Sequence, residues 1–397
     1  MMYTKISKYL EDLDLPSKLP LHELQELFVK HFFYEQDRGM LMLKEDIDNL
    51  INISDFKVLL SRMDVSSSDY NFNTALDSEE VEKLRWVDVV IKRLPIWDGI
   101  DRLNQMSNCF TLKNESQRYW FDRIFKFWFT KAAEMLAKPY ANESVNRLVI
   151  CLQSDEQSIG KTTFARNLSK PFDLKSNPSY YEMDRPEFTK DVSMENATNV
   201  IGVLDDISNW HKGGLKDMKS IISSKTIKLR PPYGKKSIPT PRTASFIATT
   251  NEYNFLNEKN DTRWAVFSIN SIDFKYEAIN INQIWSQAFY LAKSIVNTEI
   301  TNDIKNFCIG NSGSHQAVDI TAQIVEDWFE VNEDCKRSTT DLFLELPLEY
   351  QKLMGGSVAG PVKMGKALVK VFDVKHRGTI NGKGKWKVCL KQEQKSS

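Results

Sequence analysis

The segment Gly160-Lys161-Thr162 has the residue types, in the order, that bind a nucleotide phosphate. It lies between an apolar run and a helical stretch, where glycine lets the backbone approach an anion and the helix dipole attracts it. Lys161 is expected to reach the β- and γ-phosphates, and the Thr162 hydroxyl is expected to bind Mg²⁺. Asp155 stands where the usual pattern has its first glycine, so this segment alone is a weak signal for an ATP site.

Two adjacent carboxylates, Asp205 and Asp206, end a second apolar run at residues 199–206. In a parallel sheet the end of this run lies beside the phosphate loop. One carboxylate, Asp205, can hold Mg²⁺, and the other can polarise the attacking water. The alternative is a helix cap, in which Asp206 or Ser208 begins the next helix.

Asn251 and Arg263 complete a set of four elements in the order that a nucleotide site requires. Asn251 ends another apolar run, where its amide can orient a water against the γ-phosphate. Arg263 precedes a fourth apolar run and suits an arginine finger that reaches into a neighbouring subunit's site. A surface ion pair is the alternative for Arg263.

Four apolar runs that alternate with helical stretches indicate an α/β fold, with a mostly parallel central sheet covered by helices on both faces. Residues 147–298 are predicted to form this core, which a helix closes near residue 297. Residues 1–80 read as a helical assembly or docking region with a linker near 66–80, and residues 81–146 as a helical collar. Residues 318–397 show three helices and then a hairpin around Asn381-Gly382, which is the order of a winged helix.

Charge is unevenly distributed in a chain of 397 residues whose formal net charge is zero. Residues 1–84 hold 17 acidic and 9 basic side chains, whereas residues 212–242 hold 9 basic side chains and one acid. Residues 362–397 hold 10 basic side chains and two acids. Two local basic segments favour a polyanionic partner such as DNA, and solvated surface faces are the alternative.

Composition excludes several classes of protein. The hydrophobic fraction of 41% and charged fraction of 27% are ordinary for a globular chain, and no apolar stretch is long enough to cross a membrane. The five cysteines are far apart, so a disulfide framework or zinc ribbon is not expected, and a cytoplasmic location suits the chain.

The chain resembles the virulence-associated E family of phages and mobile genetic elements, AAA+-like ATPases related to superfamily 3 replicative helicases. Four segments carry the resemblance: IWDGIDRL (96–103), QSIGKTTF (157–164), KLRPPYGKKSIPTPR (228–242), and FIATTNEYNFL (246–256) with TRWAVF (262–267). The resemblance implies a DNA helicase or replication initiator that hydrolyses ATP between the subunits of a ring, expected to be a hexamer. A replication partner could dock on the N-terminal region.

The resemblance also implies roles for individual residues. Nucleotide contacts fall on Gln157, Ser158, Ile159, Gly160, Lys161, Thr162 and Thr163, and catalytic roles on Asp205, Asp206, Asn251 and Arg263. A basic hairpin that projects toward single-stranded DNA would contribute Lys228, Arg230, Tyr233, Lys235 and Lys236. Asp155 and Ser158, where glycines are common, are departures from the family pattern.

The C-terminal winged helix is predicted from pattern alone and would bind duplex DNA. Lys363, Lys366 and Lys370 share one helical face, and Lys383, Lys385 and Lys387 alternate along a strand. Two other functions stay open: a DNA-binding assembly protein whose phosphate loop turns over little ATP, and an interaction protein that captures a replication factor through residues 1–80.

Overall fold

The chain divides into two compact units, residues 1–316 (unit 1) and 317–397 (unit 2). The computed structural model describes residues 4–35, 38–139, 145–174, 178–184, 195–210, 212–229, 238–256, 260–294, 300–315, 320–372, 377–380 and 383–391. Within these residues, no helix is both long and apolar enough to cross a membrane.

Unit 1 contains most of the helices and strands. Its helices with described bounds are α1 (Thr4–Glu11), α2 (Leu21–His31), α3 (Ile53–Arg62), α4 (Asp69–Asp77), α5 (Trp86–Arg93), α6 (Arg102–Ser107), α7 (Arg118–Ala137), α8 (Lys161–Asn167), α9 (Lys212–Ser223), α10 (Ile281–Ser294) and α11 (Asn302–Ser314). Its strands are β1 (Phe32–Glu35), β2 (Met40–Leu43), β3 (Leu50–Asn52), β4 (Lys83–Leu84), β5 (Phe110–Leu112), β6 (Val149–Gln153), β7 (Tyr180–Met183), β8 (Ile201–Leu204), β9 (Thr226–Leu229), β10 (Ile238–Pro241), β11 (Ser245–Thr250) and β12 (Trp264–Ile272).

The central sheet of unit 1 has the strand order β5-β12-β6-β11-β8-β7. Strand β5 pairs antiparallel with β12 at one edge, and the other neighbouring strands are parallel. Strands β6, β8 and β11 are buried along their whole length, which continuous apolar runs allow when both faces of a sheet are covered. The sequence predicted four of these strands.

Helices cover both faces of this sheet. Ile150 and Leu152 of β6 point into a core that includes Trp128 of α7 and Trp285 of α10. The alternate β6 residues, Val149 and Cys151, point into a second core with Met218 of α9. The period of two along a strand therefore separates the two helical layers.

Three elements in or near the core were not predicted from the sequence. Strand β5 is three residues long and lies within residues 81–146, which were predicted to be a helical collar, and it forms because it pairs with β12 at the edge of the sheet. Strand β7 is only four residues long and extends the sheet beyond β8. Helix α11 contains Gly310 and Gly313, which have low helix propensity, yet Cys308 and Ile304 are buried on its inner side. In all three cases tertiary packing or strand pairing stabilises an element whose local sequence signal is weak.

The prediction that residues 1–80 are helical is correct only in part. Helices α1 to α4 lie in this segment, but β1, β2 and β3 form a sheet with β4 in the order β3-β2-β1-β4. The spacing of Phe28 and Phe32 suggested a continuing helix, and both rings are indeed buried against Phe56. The backbone nevertheless becomes extended at Phe32, where β1 pairs with β2.

The segment 66–80, predicted to be a linker, contains α4. Ser68 caps this helix by accepting a hydrogen bond from Asn71 N, and Phe72, Ala75 and Leu76 are buried. Residues 1–80 also contact the rest of unit 1, since Arg38 donates to Thr198 O and Glu35 Oε1 accepts from Trp86 N.

Unit 2 contains α12 (Ile320–Trp328), β13 (Phe329–Val331), α13 (Thr339–Leu344), α14 (Leu348–Leu353), α15 (Gly356–Phe372), β14 (Arg377–Ile380), β15 (Lys383–Trp386) and β16 (Val388–Leu390). The predicted hairpin is present, with β14 antiparallel to β15, and β13 pairs with β16. The helices of unit 2 enclose a separate core around Phe343, Leu368 and Trp386. The short helix α14 was not predicted.

Candidate nucleotide site

The candidate site lies at the carboxyl-terminal ends of the parallel strands β6, β8 and β11. These strands are parallel neighbours, with Thr250 opposite Gln153 and Ala248 opposite Leu204. Residues that follow the three strands therefore lie close together at these ends, although they are up to about 100 positions apart in the chain.

The loop 154–160 connects β6 to α8 and has two residues in the left-handed backbone region. Gly160 has φ of 91°, and a Cβ built on it would lie 2.9 Å from Phe274 Cζ. Ser158 has φ of 62°, a conformation that glycine adopts at little cost, which accounts for glycine being common at this position.

Lys161 is the most buried charged group of the site, with 7% of its surface exposed. Its Nζ donates to Asn251 Oδ1 at 2.7 Å and to Glu156 O at 3.4 Å. Burial lowers the pKa of Lys161 because the ammonium loses hydration, and carboxylates that include Asp205 and Asp206 partly offset this. A bound anion would compensate the same loss.

Thr162, Asp205 and Thr249 form a hydroxyl–carboxylate–hydroxyl group. Both hydroxyl oxygens lie 2.7 Å from Asp205 Oδ1 and donate to it. Thr249 Oγ1 in turn accepts from Asp206 N at 3.1 Å. These contacts bring together residues that three separate elements supply.

Asp206 has φ of 42°, again in the left-handed region, and Ser208 Oγ donates to its Oδ1 at 2.7 Å. It precedes a single turn of 3-10 helix at residues 207–209, and its side chain makes no capping hydrogen bond there. The strained backbone turns the chain directly after Asp205. The two carboxylates therefore have different partners: Asp205 accepts from Thr162 and Thr249, and Asp206 accepts from Ser208. Strain of this kind is concentrated at functional sites.

Asp155, which takes the place of the first glycine, is exposed and forms an ion pair with Lys113. Gln153 Nε2 also donates to it at 2.9 Å. The hydrogen bond from Lys113 lowers the pKa of Asp155, so its carboxylate is ionised at neutral pH. Lys113 follows β5, and thus a second cation of the site comes from the far edge of the sheet.

Arg263 is not near the other candidate residues of its own chain. It precedes β12, and its carbonyl accepts from Val149 N at the start of β6, whereas the loop 154–160 follows the end of β6. The length of β6 separates the two positions by roughly 15 Å at about 3.3 Å per residue.

The Arg263 guanidinium donates to both carboxylate oxygens of the buried Asp261, at 2.8 and 3.1 Å. Lys219 Nζ lies 3.0 Å from the same carboxylate. Burial raises the pKa of Asp261, but hydrogen bonds from Arg263 and Lys219 outweigh burial and lower it. The ion pair that was the alternative reading of Arg263 is therefore present.

Of the predicted DNA-binding residues of unit 1, Lys228 lies within the described residues. Lys228 is exposed on β9, opposite Pro239. Arg230, Tyr233, Lys235 and Lys236 lie outside the described residues.

In unit 2, Lys363, Lys366 and Lys370 are exposed on α15, as their spacing predicted. Lys383 lies on β15, and its side chain is outside the described residues. Lys385 and Lys387 differ from the prediction of a free strand face. Lys385 pairs with Asp341 at 3.4 Å, and Lys387 follows the end of β15 and pairs with Glu333.

Sequence reasoning missed Arg242 as a positioning residue, although it ends the basic segment 212–242. Its buried guanidinium donates to Ser224 O, Ile222 O and Asn146 O at 3.0 Å each, and also to Ala244 O. The first two carbonyls belong to the end of α9 and the residue that follows it. Arg242 therefore fixes the base of the β9–β10 hairpin to the sheet, which no sequence spacing revealed.

Comparison with known proteins gives one family match. Residues 91–307, more than half of the chain, match the model of the virulence-associated protein E-like domain. No curated protein matches the chain.

Among solved structures, the chain is similar to an apo structure of the NrS-1 C-terminal region (305–718), with 11% identity, coverage of 93% of this chain and 98% of that chain, and a TM-score of 0.43. It is also similar to an A-form apo structure of that region, with 12% identity, coverage of 84% and 81%, and a TM-score of 0.40.

Proposed function

Because the chain belongs to the virulence-associated protein E-like family, we propose that it is an AAA+-like P-loop ATPase that acts on DNA as a helicase or replication initiator of a phage or mobile genetic element. One observation carries this proposal. Lys161, which follows the loop 154–160, contacts Asn251, and Thr162 contacts Asp205, so the four residues predicted for phosphate and magnesium chemistry lie together.

The oxygen groups of Thr162, Asp205 and Thr249 fit a bound Mg²⁺, which prefers oxygen ligands. Thr162 and Asp205 would hold the ion together with the phosphates. When bound, Mg²⁺ supplies charge neutralisation at the β- and γ-phosphate oxygens.

The protein's own groups then have distinct tasks. Lys161 would exchange Asn251 Oδ1 for the γ-phosphate, because a buried ammonium gains most from an anionic partner. Asn251 would then be available to orient the attacking water, and Asp206, held by Ser208, would polarise it.

The position of Arg263 supports ATP hydrolysis between subunits. It is too far from the loop 154–160 of its own chain to touch a phosphate there, so a catalytic role requires a second copy. Its ion pair with Asp261, a carboxylate that Lys219 also contacts, would hold the guanidinium in place until a neighbour's nucleotide arrives. We therefore propose a ring, expected to be a hexamer.

We propose that unit 2 is a winged helix that binds duplex DNA, and that the hairpin between β9 and β10 contacts single strands. Helix α15 contains no acidic residue, which supports contact with phosphates. Deleting residues 318–397 is expected to leave basal ATP hydrolysis largely intact and to weaken duplex binding. Unchanged duplex affinity and salt dependence would contradict this role.

One observation favours the alternative of a nucleotide-dependent assembly protein. Asp155 replaces the first glycine of the loop and places a carboxylate beside the phosphate site. In that alternative, residues 1–80 could also dock a replication partner. The test between the two functions is ATP hydrolysis stimulated by DNA: turnover that depends on Lys161 supports the motor, and binding without turnover supports the assembly protein.

A further inference from the structure

A half-exposed aromatic ring stands beside the loop 154–160. Phe274 is 52% exposed, begins a 3-10 helix directly after β12, and points its ring end at Gly160. Tyr276 lies next to it, with ring centroids 6.0 Å apart, and accepts a hydrogen bond from Asn167 of α8. One part of the Phe274 ring is therefore held by the loop, and the rest faces solvent.

The strand order places Phe274 on the opposite side of the loop from the catalytic candidates. Strand β6 lies between β11 and β12. Asp205 and Asn251 follow β8 and β11, whereas Phe274 follows β12. A nucleotide whose terminal phosphate lies at Lys161 and Asn251, and whose chain passes along the loop toward β12, ends beside Phe274.

We propose that Phe274 is the platform on which the nucleobase stacks. This inference rests on the proposed nucleotide site and assigns its base-binding part. A base that stacks on an aromatic ring contributes about tenfold to hundredfold in affinity, and stacking tolerates different bases because each has a π-face. The site should therefore bind ATP and GTP with similar affinity.

Calorimetric titration of the full chain with ATP and with inorganic tripolyphosphate tests this inference. Phe274→Ala should weaken ATP binding about tenfold or more and leave tripolyphosphate binding unchanged. Phe274→Trp, which keeps an aromatic ring, should bind ATP with the affinity of the wild type. Tyr290→Ala is the matched control, because Tyr290 is also 52% exposed but lies on α10.

Equal weakening of both ligands by Phe274→Ala would overturn the inference and assign Phe274 to loop structure. Unchanged affinity for both ligands would overturn it as well, while leaving the nucleotide site in place. A wild-type chain that binds neither ligand would instead contradict the proposed function itself.

A separate observation concerns the solvent face of α15 in unit 2. Val358, Val362 and Val369 are 88%, 63% and 39% exposed and lie four and seven residues apart, so they form one stripe. Lys363, Lys366 and Lys370 form a neighbouring stripe. On the inner side, Gly360 lets Phe343 of α13 approach, because a Cβ there would lie 2.2 Å from the Phe343 ring.

Lysines beside this apolar stripe select a partner that is both anionic and apolar. Duplex DNA has both features in its major groove, where phosphates border the 5-methyl groups of thymine. Valine offers no hydrogen bond, so it distinguishes bases only through such methyl groups. We infer that this valine stripe contacts thymine methyl groups and gives unit 2 a preference for thymine-containing duplexes. The inference rests on the proposed duplex binding.

Substituting uracil for thymine in one duplex removes the methyl groups and keeps the groove's hydrogen-bonding pattern. The full chain should bind the uracil duplex more weakly, by about fourfold for each methyl group lost from contact. The double variant Val358→Ala with Val362→Ala should bind both duplexes equally. Val331→Ala, an exposed valine on β13, is the matched control.

Equal wild-type affinity for the two duplexes would overturn the inference without touching duplex binding. Self-association that the valine variant abolishes, with no thymine preference, would overturn it in favour of an interface between copies. A chain that binds no duplex contradicts both this inference and the proposed role of unit 2.

Discussion

At the scale of single residues, the carboxylate of Asp155 is the feature that sets this loop apart from the usual phosphate-binding pattern. It is exposed, ionised and paired with Lys113, so it neutralises a cation that could otherwise attract the nucleotide. Asp155→Gly should therefore tighten ATP binding several-fold, and more at low salt, because exposed charges are screened. Lys113→Ala should weaken binding, since it leaves the carboxylate unpaired.

Fluorescence titration with an ATP analogue at two salt concentrations measures both effects. Lys5→Ala is the control, as Lys5 is an exposed lysine in an ion pair with Asp46, in the N-terminal part of the chain. If Asp155→Gly instead loosens ATP binding, the acid is an adapted part of the loop.

The sequence predicted the contacts among Lys161, Thr162, Asp205 and Asn251 because parallel strands bring their ends to one edge. It could not predict Lys113 or Phe274. Both follow strands on the other side of β6. The position of Phe274 relative to the loop depends on the pairing of β12 with β6, and that of Lys113 depends also on the pairing of β5 with β12. It also could not decide between the two readings of Arg263, since an ion pair and a role toward a second copy are compatible.

At the scale of elements, Arg242 connects the β9–β10 hairpin, the end of α9 and the segment before β6. Arg242→Met would keep side-chain length but leave several buried carbonyls without a donor. We expect a loss of about 3 kcal/mol in the free energy of unfolding, the size typical of breaking a buried charged hydrogen-bond group.

Urea denaturation measures this loss, and Lys228→Met on the exposed side of β9 is the matched control. Equal stability of the Arg242 variant and the wild type would show that water can replace the guanidinium. At a temperature where the variant remains folded, its affinity for single-stranded DNA should fall, because the hairpin loses its fixed base.

The elements predicted correctly are those with strong local patterns, such as β6, β8 and β11. The N-terminal strands were missed because Phe28 and Phe32 have helical spacing, and only pairing with β2 shows that the chain is extended from Phe32 onward. Strand β7 was missed because the exposed Glu182 interrupts its apolar pattern. Glu182 forms an ion pair with Arg166 of α8, a contact that exists only in the folded chain.

At the scale of the whole molecule, Arg263 and Lys161 lie at opposite ends of β6, so a shared site needs two copies. Arg263→Ala should retain ATP binding and lose hydrolysis. Mixing it with Lys161→Ala should partly restore hydrolysis, because some interfaces then combine an intact Lys161 with an intact Arg263.

Titration of one variant into the other at constant total protein measures this rescue. Subunit exchange is confirmed by energy transfer between labelled chains. If activity does not recover at any ratio despite exchange, Arg263 serves only the ion pair with Asp261.

The central claim is that Lys161 and its neighbours form an ATP-hydrolysing site coupled to DNA. Steady-state phosphate release, with and without DNA and Mg²⁺, tests this claim for the wild type, Lys161→Ala and Lys170→Ala, the last being an exposed lysine nine positions away. We predict Mg²⁺-dependent turnover that DNA stimulates, its loss in Lys161→Ala with the fold retained, and normal turnover in Lys170→Ala. Undiminished phosphate release by folded Lys161→Ala would contradict the claim.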